Sequence, residues 1–579
     1  MGIYKRLIGY VQEYKLFLYI SIFLSILSAC ITVIGYLYIY KFLDSVIIHS
    51  EYSVAQTYAI YFLIALVIAG FTYFGSGFYS HKLGFRLESN LRKKGLENLT
   101  DASFRFFDLN PSGTIRKTID DNASNTHNAV AHLIPDTSQA LLIPISSIVL
   151  AFYVSLETGL VILGLTITIG LLLKFMMGDG HFMKLYQDSL QKMSAETTEF
   201  VRGIPVIKIF SVQLDTLKDL HKSITDYSNY AYSYSESCKT PYTVYQLILM
   251  GLVAILIIPI SIFIDDISNP LQIAVDLIMI TFLSGVIMVS FMKIMWMNMH
   301  LFNAKFALDS LENLFVGMNS DKLTYGIETE FSNYDIEMQD VSFSYNENKV
   351  IENLSFKFEE GKKYALIGHS GSGKSTIAKL LSGFYKVDSG VIKIGGKPLE
   401  SYTKEAIANA ITFVFQNSKL FKISIYDNVA LADKNASHEE VMQALSQAGC
   451  DVILDKFIQR ENTIIGAKGV YLSGGEIQRI SIARAILKKA KIVILDEACA
   501  SIDADNEHEL QIAYKNLMKD KTVIMIAHRL SSIKSVDEII VLENGKIIET
   551  GNHNKLSEKD SKYNFLQNLY SSANKWRVK

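Results

Sequence analysis

Gly368 to Thr376 reads GHSGSGKST. An apolar run, Tyr364 to Ile367, leads into it and an apolar-periodic run, Ile377 to Leu381, leads out; this strand, loop and helix order is what a phosphate-binding loop requires. Gly368, Gly371 and Gly373 allow a tight turn that points successive backbone N–H groups inward, and the helix behind adds the positive end of its dipole. The stretch Gly368, His369, Ser370, Gly371, Ser372, Gly373, Lys374, Ser375 and Thr376 is therefore the candidate cradle for the phosphates of a nucleotide such as ATP. Within it, Lys374 is placed to reach the outer phosphates and Ser375 to offer its hydroxyl to Mg2+.

The rest of the chain must say what that site drives. At 579 residues it is too long for a single core, and the hydrophobic share of 49% with 31 Tyr, 32 Phe and only 8 Pro makes a membrane portion the first thing to test. A net charge of −2 with no basic stripe or tail argues against a nucleic-acid partner. Cys30, Cys238, Cys450 and Cys499 are scattered without CxxC spacing, which reads as reduced or incidental thiols rather than a disulfide framework or zinc site.

Apolar runs of spanning length occur at Leu16 to Tyr40, Thr57 to Phe78, Ser138 to Val154, Gly159 to Met177, Val244 to Ile264 and Leu271 to Met297. Six transmembrane helices are expected. The short connections Asp44 to Gln56, Ser155 to Thr158 and Asp265 to Pro270 carry no Lys or Arg, whereas the long ones, His81 to Asp136 and Gly178 to Lys239, carry many. By the positive-inside rule the long connections are cytoplasmic, so both chain ends and the phosphate loop lie on the cytoplasmic side of a multi-pass protein of the cell membrane. With few breakers apart from FFDLNPSG and RGIP, these connections read as helical hairpins; about 25 residues at 1.5 Å each would reach about 38 Å from the membrane. Their turning points are expected near Asp120 to Asn125 and Val201 to Ile207. Asp276 and Lys293 both fall in the sixth span, about 25 Å apart along one helix; snorkelling to the interfaces is the plain reading of each, and lining a polar cavity the sharper one.

After Leu311 the apolar character fades, and from Tyr334 short β-rich runs alternate with helical ones. The expected architecture is an all-α membrane domain over 1–310, a linker over 311–333 and an α/β P-loop nucleotide-binding domain over 334–579. Five further residues fit the chemistry of a nucleotide site. Tyr345 can stack on an adenine ring; Gln416, closing the apolar run ITFVFQ, can meet a metal-bound nucleotide. KIVILDE, Lys491 to Glu497, ends in two carboxylates: Asp496 for magnesium and Glu497 to polarise an attacking water as general base. His528, closing VIMIAHRL, can contact the γ-phosphate. Each residue alone has an ordinary structural reading; their order after a phosphate loop is what gives the set its meaning.

LSGGE at Leu472 to Glu476, followed by IQRISIARAI, resembles the signature of ATP-binding-cassette proteins. With six spans fused to one cassette, the chain looks like a half-transporter of the exporter-type (type IV) fold, and FFDLNPSG and FVRGIPVIK resemble that family's membrane half. The resemblance implies that two cassettes close head to tail, so Ser473, Gly474 and Gly475 of one chain complete the ATP site of a second half-transporter subunit. Glu476 departs from the commoner Gln and is expected to point away from phosphate; Cys499 replaces a more usual Thr.

Gly113 to Asp136 and the stretch FMKLYQDSLQKMSAETTEFVRGIPVIK, together with LSGGE, further resemble the siderophore-transport subfamily that contains the yersiniabactin and mycobactin uptake transporters. That likeness implies an amphipathic iron chelate, siderophore or haem, as cargo and a heterodimer as the assembly. The alternative function is an exporter of drugs, lipids or peptides; the alternative assembly, since all catalytic motifs are matched, is a homodimer.

Overall fold

A computed structural model of the chain describes residues 2–176, 180–210, 218–247, 270–345, 348–416, 418–466, 469–496, 504–527, 533–558 and 561–576. It divides into two units: Met1–Thr100 with Asn110–Gly317, and Asp101–Leu109 with Met318–Lys579.

The first unit is helical. Its principal helices are Lys15–Leu43, Tyr52–Asp101, Ser112–Val154, Leu156–Met176, Gly180–Phe210, Lys218–Leu247 and Pro270–Ser320. Five helices among the described residues are long and apolar enough to cross a membrane, and they match five of the six expected spans. The other, Val244 to Ile264, lies outside the described residues beyond Leu247. Phe71, Phe74, Leu63 and Val149 stand more than half exposed, an outward apolar face that suits lipid rather than water. Inside, small residues let helices approach and hydroxyls bridge them: Ser25 Oγ donates to the Pro135 carbonyl at 2.6 Å, Ser28 Oγ to Ala69 at 2.8 Å, and Ser80 Oγ to Ala131 at 2.7 Å.

Three expectations change here. The first hairpin does not turn at Asp120 to Asn125, which lies inside the helix Ser112–Val154; the chain breaks after Asp101, forms the short helix Phe104–Leu109, and begins the long helix at Ser112 after Asn110-Pro111 interrupts the ladder. The helix Gly180–Phe210 likewise runs through Val201 to Ile207, so Pro205 does not end it, and residues 211–217 lie outside the described residues. Lys293 does not snorkel. Its Nζ donates to Gln139 Oε1 at 2.9 Å and lies 3.5 Å from Asp136, which in turn accepts from the Tyr73 hydroxyl at 2.7 Å. A charge in a helical bundle is stabilised more by such partners than by reaching outward.

The second unit holds two sheets. An antiparallel sheet has the order β2-β1-β4-β5, from β1 (Ile336–Tyr345), β2 (Asn348–Phe358), β4 (Ser389–Ile394) and β5 (Lys397–Pro398). A six-stranded sheet has the order β10-β9-β3-β8-β7-β6, from β3 (Lys363–Ile367), β6 (Ile411–Val414), β7 (Ile492–Asp496), β8 (Thr522–Ile526), β9 (Glu538–Glu543) and β10 (Lys546–Gly551). All its pairings are parallel except the β9–β10 hairpin. Runs such as IVIL and TVIMI are apolar at every position because both faces are covered. Alternate residues feed two cores. Leu366, Ile494 and Ile524 pack with Ile377 and Leu381 of the helix after the phosphate loop; Ile367, Leu495 and Val523 pack with Ile480 and Ala483 of the helix after LSGGE. The linker expected from residue 311 starts later, since the helix from Pro270 continues to Ser320.

The breaker segment Asp101–Leu109 belongs to this second unit. The Phe104 ring packs at a tilt against Phe384, centroids 4.6 Å apart, and its backbone N–H donates to the Phe384 carbonyl at 3.1 Å. Arg105 lies between Asp321 (3.2 Å) and Asp388 (2.8 Å), while Asp108 accepts from the Tyr385 hydroxyl and from Lys379 at 3.1 Å.

Candidate nucleotide site

The loop sits at the carboxyl end of β3, with β7 one strand removed across β8. Gly368 has φ of +150°, and a Cβ there would lie 2.2 Å from the Leu542 carbonyl oxygen, so the close approach of the neighbouring strand β9 leaves room for no side chain. Gly371 has φ of +83° but would meet nothing within 4 Å. Its side is open, and an approaching phosphate needs that space. Gly373 is the N-cap of the helix Lys374–Leu381, in left-handed conformation and with no side-chain cap. Gly373 thus offers the first N–H groups of that helix no side-chain cap of its own, an arrangement suited to an anion.

Lys374 is buried, and its ammonium is held inside the turn by the carbonyls of Gly368 (3.0 Å) and His369 (2.8 Å), with Ser372 Oγ at 3.5 Å. Ser372 is itself buried, and its carbonyl accepts from the Gly545 N–H at 3.1 Å. Thr376 is buried in the helix, whereas His369, Ser370, Gly371 and Ser375 face outward. Ser375 Oγ lies 3.4 Å from Asp496 Oδ1 at the end of β7. Two hard oxygens that close, next to an anion cradle, fit a magnesium ion's preference for oxygen ligands.

The other sequence-derived residues are placed less uniformly. Tyr345 ends β1 half-buried, its ring edge-on to Phe343 at 5.0 Å. β6 stops at Val414, so Gln416 lies exposed in the turn beyond it rather than closing the strand. Glu497, Cys499, the Ser501 to Asp503 turn and His528 fall outside the described residues; β7 ends one residue before Glu497 and β8 two residues before His528.

Ser473 and Gly474 are exposed at the start of the helix Gly474–Leu487, and Gly475 is buried. Ser473 Oγ accepts from the Glu476 N–H at 3.4 Å, and Glu476 Oε2 accepts from the Ser473 N–H at 2.7 Å, forming a complete capping box. The second Glu476 oxygen accepts from Lys456 Nζ at 2.6 Å. Burial by itself would raise this carboxyl's pKa, but Lys456 and the Ser473 donors outweigh it and hold it below the usual glutamate value. Glu476 thus faces back into its own domain, and the Ser473 hydroxyl keeps its proton to donate elsewhere.

Sequence reading missed the groups that fix this helix. Asn428 is fully buried; its amide spans the Phe421 N–H and carbonyl, and Arg484 of the LSGGE helix donates to its side chain (3.0 Å) and its carbonyl (2.8 Å). Gln478 reaches Tyr514 Oη at 3.0 Å and the Phe415 carbonyl at 3.5 Å, so the helix is tied to the chain next to Gln416. Nothing in the local pattern around Asn428 marks it; only the fold brings Arg484 to it.

Residues 351–500 match the family model described as ABC transporter, and residues 18–299 match the ABC transporter transmembrane region. The chain belongs to the ABC transporters. It joins their ATPase domain and their transmembrane region on one polypeptide, in a multi-pass membrane protein. It is 30% identical to the ATP-dependent lipid A-core flippase of Photorhabdus laumondii, over 88% of this chain and 87% of that one. It is 42% identical to the flippase of the same name from Idiomarina loihiensis over 242 residues, a match that spans 41% of this chain and under half the length of the relative. YgaD of Bacillus subtilis, provisionally named as a multidrug export ATP-binding/permease protein, is 27% identical over 98% of this chain and 100% of its own length. A structure titled as a bacterial Atm1-family ABC exporter with ATP bound superposes with a TM-score of 0.74 over 95% of this chain and 97% of that one, at 22% identity; it shows the exporter-type fold. None of these names mentions a siderophore.

Proposed function

We propose that this chain is one half of an ATP-driven exporter that moves an amphipathic molecule, a lipid or a drug-like compound, out of the cytoplasmic leaflet. The observation that supports it most directly is the open phosphate loop with Ser375 and Asp496 3.4 Å apart, on the same chain as helices whose apolar faces stand exposed. The names of the relatives favour export of lipid or drug over the iron-siderophore cargo that the sequence suggested.

In this reading Lys374 neutralises charge on the outer phosphates, and Tyr345 stacks on the adenine. Mg2+, held by Ser375 and Asp496, would screen the phosphates during transfer. Glu497 takes a proton from the attacking water, with Gln416 and His528 orienting the water and the γ-phosphate. Ser473, Gly474 and Gly475 of a second half-transporter subunit close the site from the other side. With every motif intact, two copies of this chain suffice; a heterodimer remains the alternative assembly.

The purified chain reconstituted in vesicles tests this. ATP should drive a labelled phospholipid analogue out of the cassette-side leaflet, and Glu497→Gln should still bind ATP yet reduce turnover by about a hundredfold or more. ATP-driven movement of a ferric siderophore towards the cassette side, with no lipid movement, would return the cargo to the uptake reading. Unchanged turnover in Glu497→Gln would remove the assigned base. Mass measurement of the ATP-bound complex distinguishes a pair of identical chains from a single copy awaiting a different partner.

A further inference from the structure

A cavity of about 640 Å³ opens in the helical unit between the helices Gly180–Phe210, Lys218–Leu247 and Pro270–Ser320. This volume is in the range of small-molecule sites. Met183, Tyr234, Met295, Trp296 and Met299 give it a deformable apolar and aromatic wall, and among the described residues Lys239 is the one ionised side chain in its lining. Lys239 pairs with Glu236 at 3.1 Å, three residues back on the same helix; with the lysine side chain 66% exposed, such a pair is weak and exchanges readily for another anion.

The depth of the site follows from the sequence. Lys239 lies five residues before the apolar run that starts at Val244, Met183 six residues after the run that ends at Met177, and Trp296 at the end of the run that closes at Met297. All three helices thus offer the cytoplasmic ends of their spans, where Lys and Trp meet lipid headgroups.

We infer that this cavity is a cargo-entry site for an anionic membrane lipid, with the phosphate headgroup on Lys239 and the apolar body against Trp296 and the methionines. The charge complementarity of a single cation in an apolar wall and the placement at headgroup depth select a phospholipid over a neutral drug or a soluble anion. This inference rests on the export reading for its purpose, though not for its geometry.

Trp296 supplies the measurement, because Trp296 and Trp576 are the chain's two tryptophans. In full-length protein carrying Trp576→Phe, in nanodiscs, brominated phosphatidylglycerol should quench Trp296 about fivefold more effectively than brominated phosphatidylcholine, the discrimination expected of one lysine at a lipid surface. Lys239→Gln should abolish that preference and Lys239→Arg should preserve it. Equal quenching by both lipids, or a preference that survives Lys239→Gln, overturns the site. Displacement of the brominated lipid by soluble glycerol phosphate would also overturn it, since the ligand would then be a free anion. Lipid movement is read separately: a headgroup preference without ATP-driven movement refutes the export reading and leaves the site, and movement without the preference does the reverse.

Discussion

The chain contains two glycine-rich helix starts in its second unit, and they are finished in opposite ways. The helix Lys374–Leu381 begins at Gly373, in left-handed conformation and without a side-chain cap. The helix Gly474–Leu487 begins at Ser473 with a closed capping box, and its Glu476 is further clamped by Lys456. The first has no cap from its own N-cap side chain, which suits a ligand anion; the second satisfies two of its four N-terminal donors and offers an exposed hydroxyl. A loop that must gather a polyanion by itself cannot be capped internally, whereas a loop that only completes another chain's site has to hold its shape until that chain arrives.

The strongest way to break this contrast is to remove the charge at the open end. Lys374→Ala should lower ATP turnover by about 10²–10³, the cost typical of deleting one preorganised charge-stabilising group, while the cassette stays folded. Turnover within tenfold of wild type would mean that the uncapped N–H groups suffice without the ammonium. Two glycines in the same loop then separate shape from access. Gly368→Ala places a methyl against the Leu542 carbonyl, 2.2 Å away, and should destabilise the cassette by about 2 kcal/mol or more in denaturant unfolding. Gly371→Ala meets open space, so only its φ of +83° resists, at about 1 kcal/mol, and the larger loss should appear in nucleotide affinity. Equal stability losses in the two variants would show that the space beside Gly371 is not held open for a ligand.

At the capped end the expected effects are smaller. Ser473→Ala removes the N-cap acceptor, for about 1 kcal/mol of stability, and also removes the hydroxyl proposed to reach the partner's nucleotide. Turnover should fall more than stability does. If turnover follows stability alone, measured across temperature, Ser473 is a cap and nothing more.

Much of the open end was legible in the sequence, and less of the closed one. GHSGSGKST names the loop because its chemistry lies in consecutive residues: glycines for the turn, a lysine and a hydroxyl at fixed spacing. The same holds for the apolar strands β3, β7 and β8, whose uninterrupted runs announce burial on both faces. LSGGE announces the second helix start, and Glu476 was expected to point away from phosphate, but its partner Lys456 lies 20 residues earlier with no local pattern to connect the two. The hairpin turn was misplaced for a related reason. Asp120 to Asn125 is polar and resembles a turn, yet its Asn122 and Ala123, with Thr126 and His127 just beyond, are buried in a helical bundle, a tertiary effect that composition alone does not reveal. The break at FFDLNPSG is written in its proline and glycine; what the sequence could not convey is that the adjoining segment Asp101–Leu109, through Phe104, Arg105 and Asp108, packs within the second unit.

The finest test concerns Glu476 and carries its own pH signature. Its carboxyl pKa is held below the usual value in the folded state, the pull of Lys456 and the Ser473 donors exceeding the cost of burial. A group depressed on folding contributes stability that is fully present above its unfolded pKa and is lost as pH falls through the folded one. Glu476→Gln keeps an oxygen for the Ser473 N–H but sets an amide against the Lys456 ammonium, so it should cost about 1 kcal/mol or less at pH 7, within the range of a half-exposed ion pair. That deficit should shrink once the pH drops below the ordinary glutamate value of 4.5, where wild type begins to lose the same charge. Unfolding midpoints of the two proteins at pH 7 and pH 4 decide it: a constant difference would place the value of Glu476 in packing, and no difference at either pH would show that the Lys456 pair adds nothing to the cap.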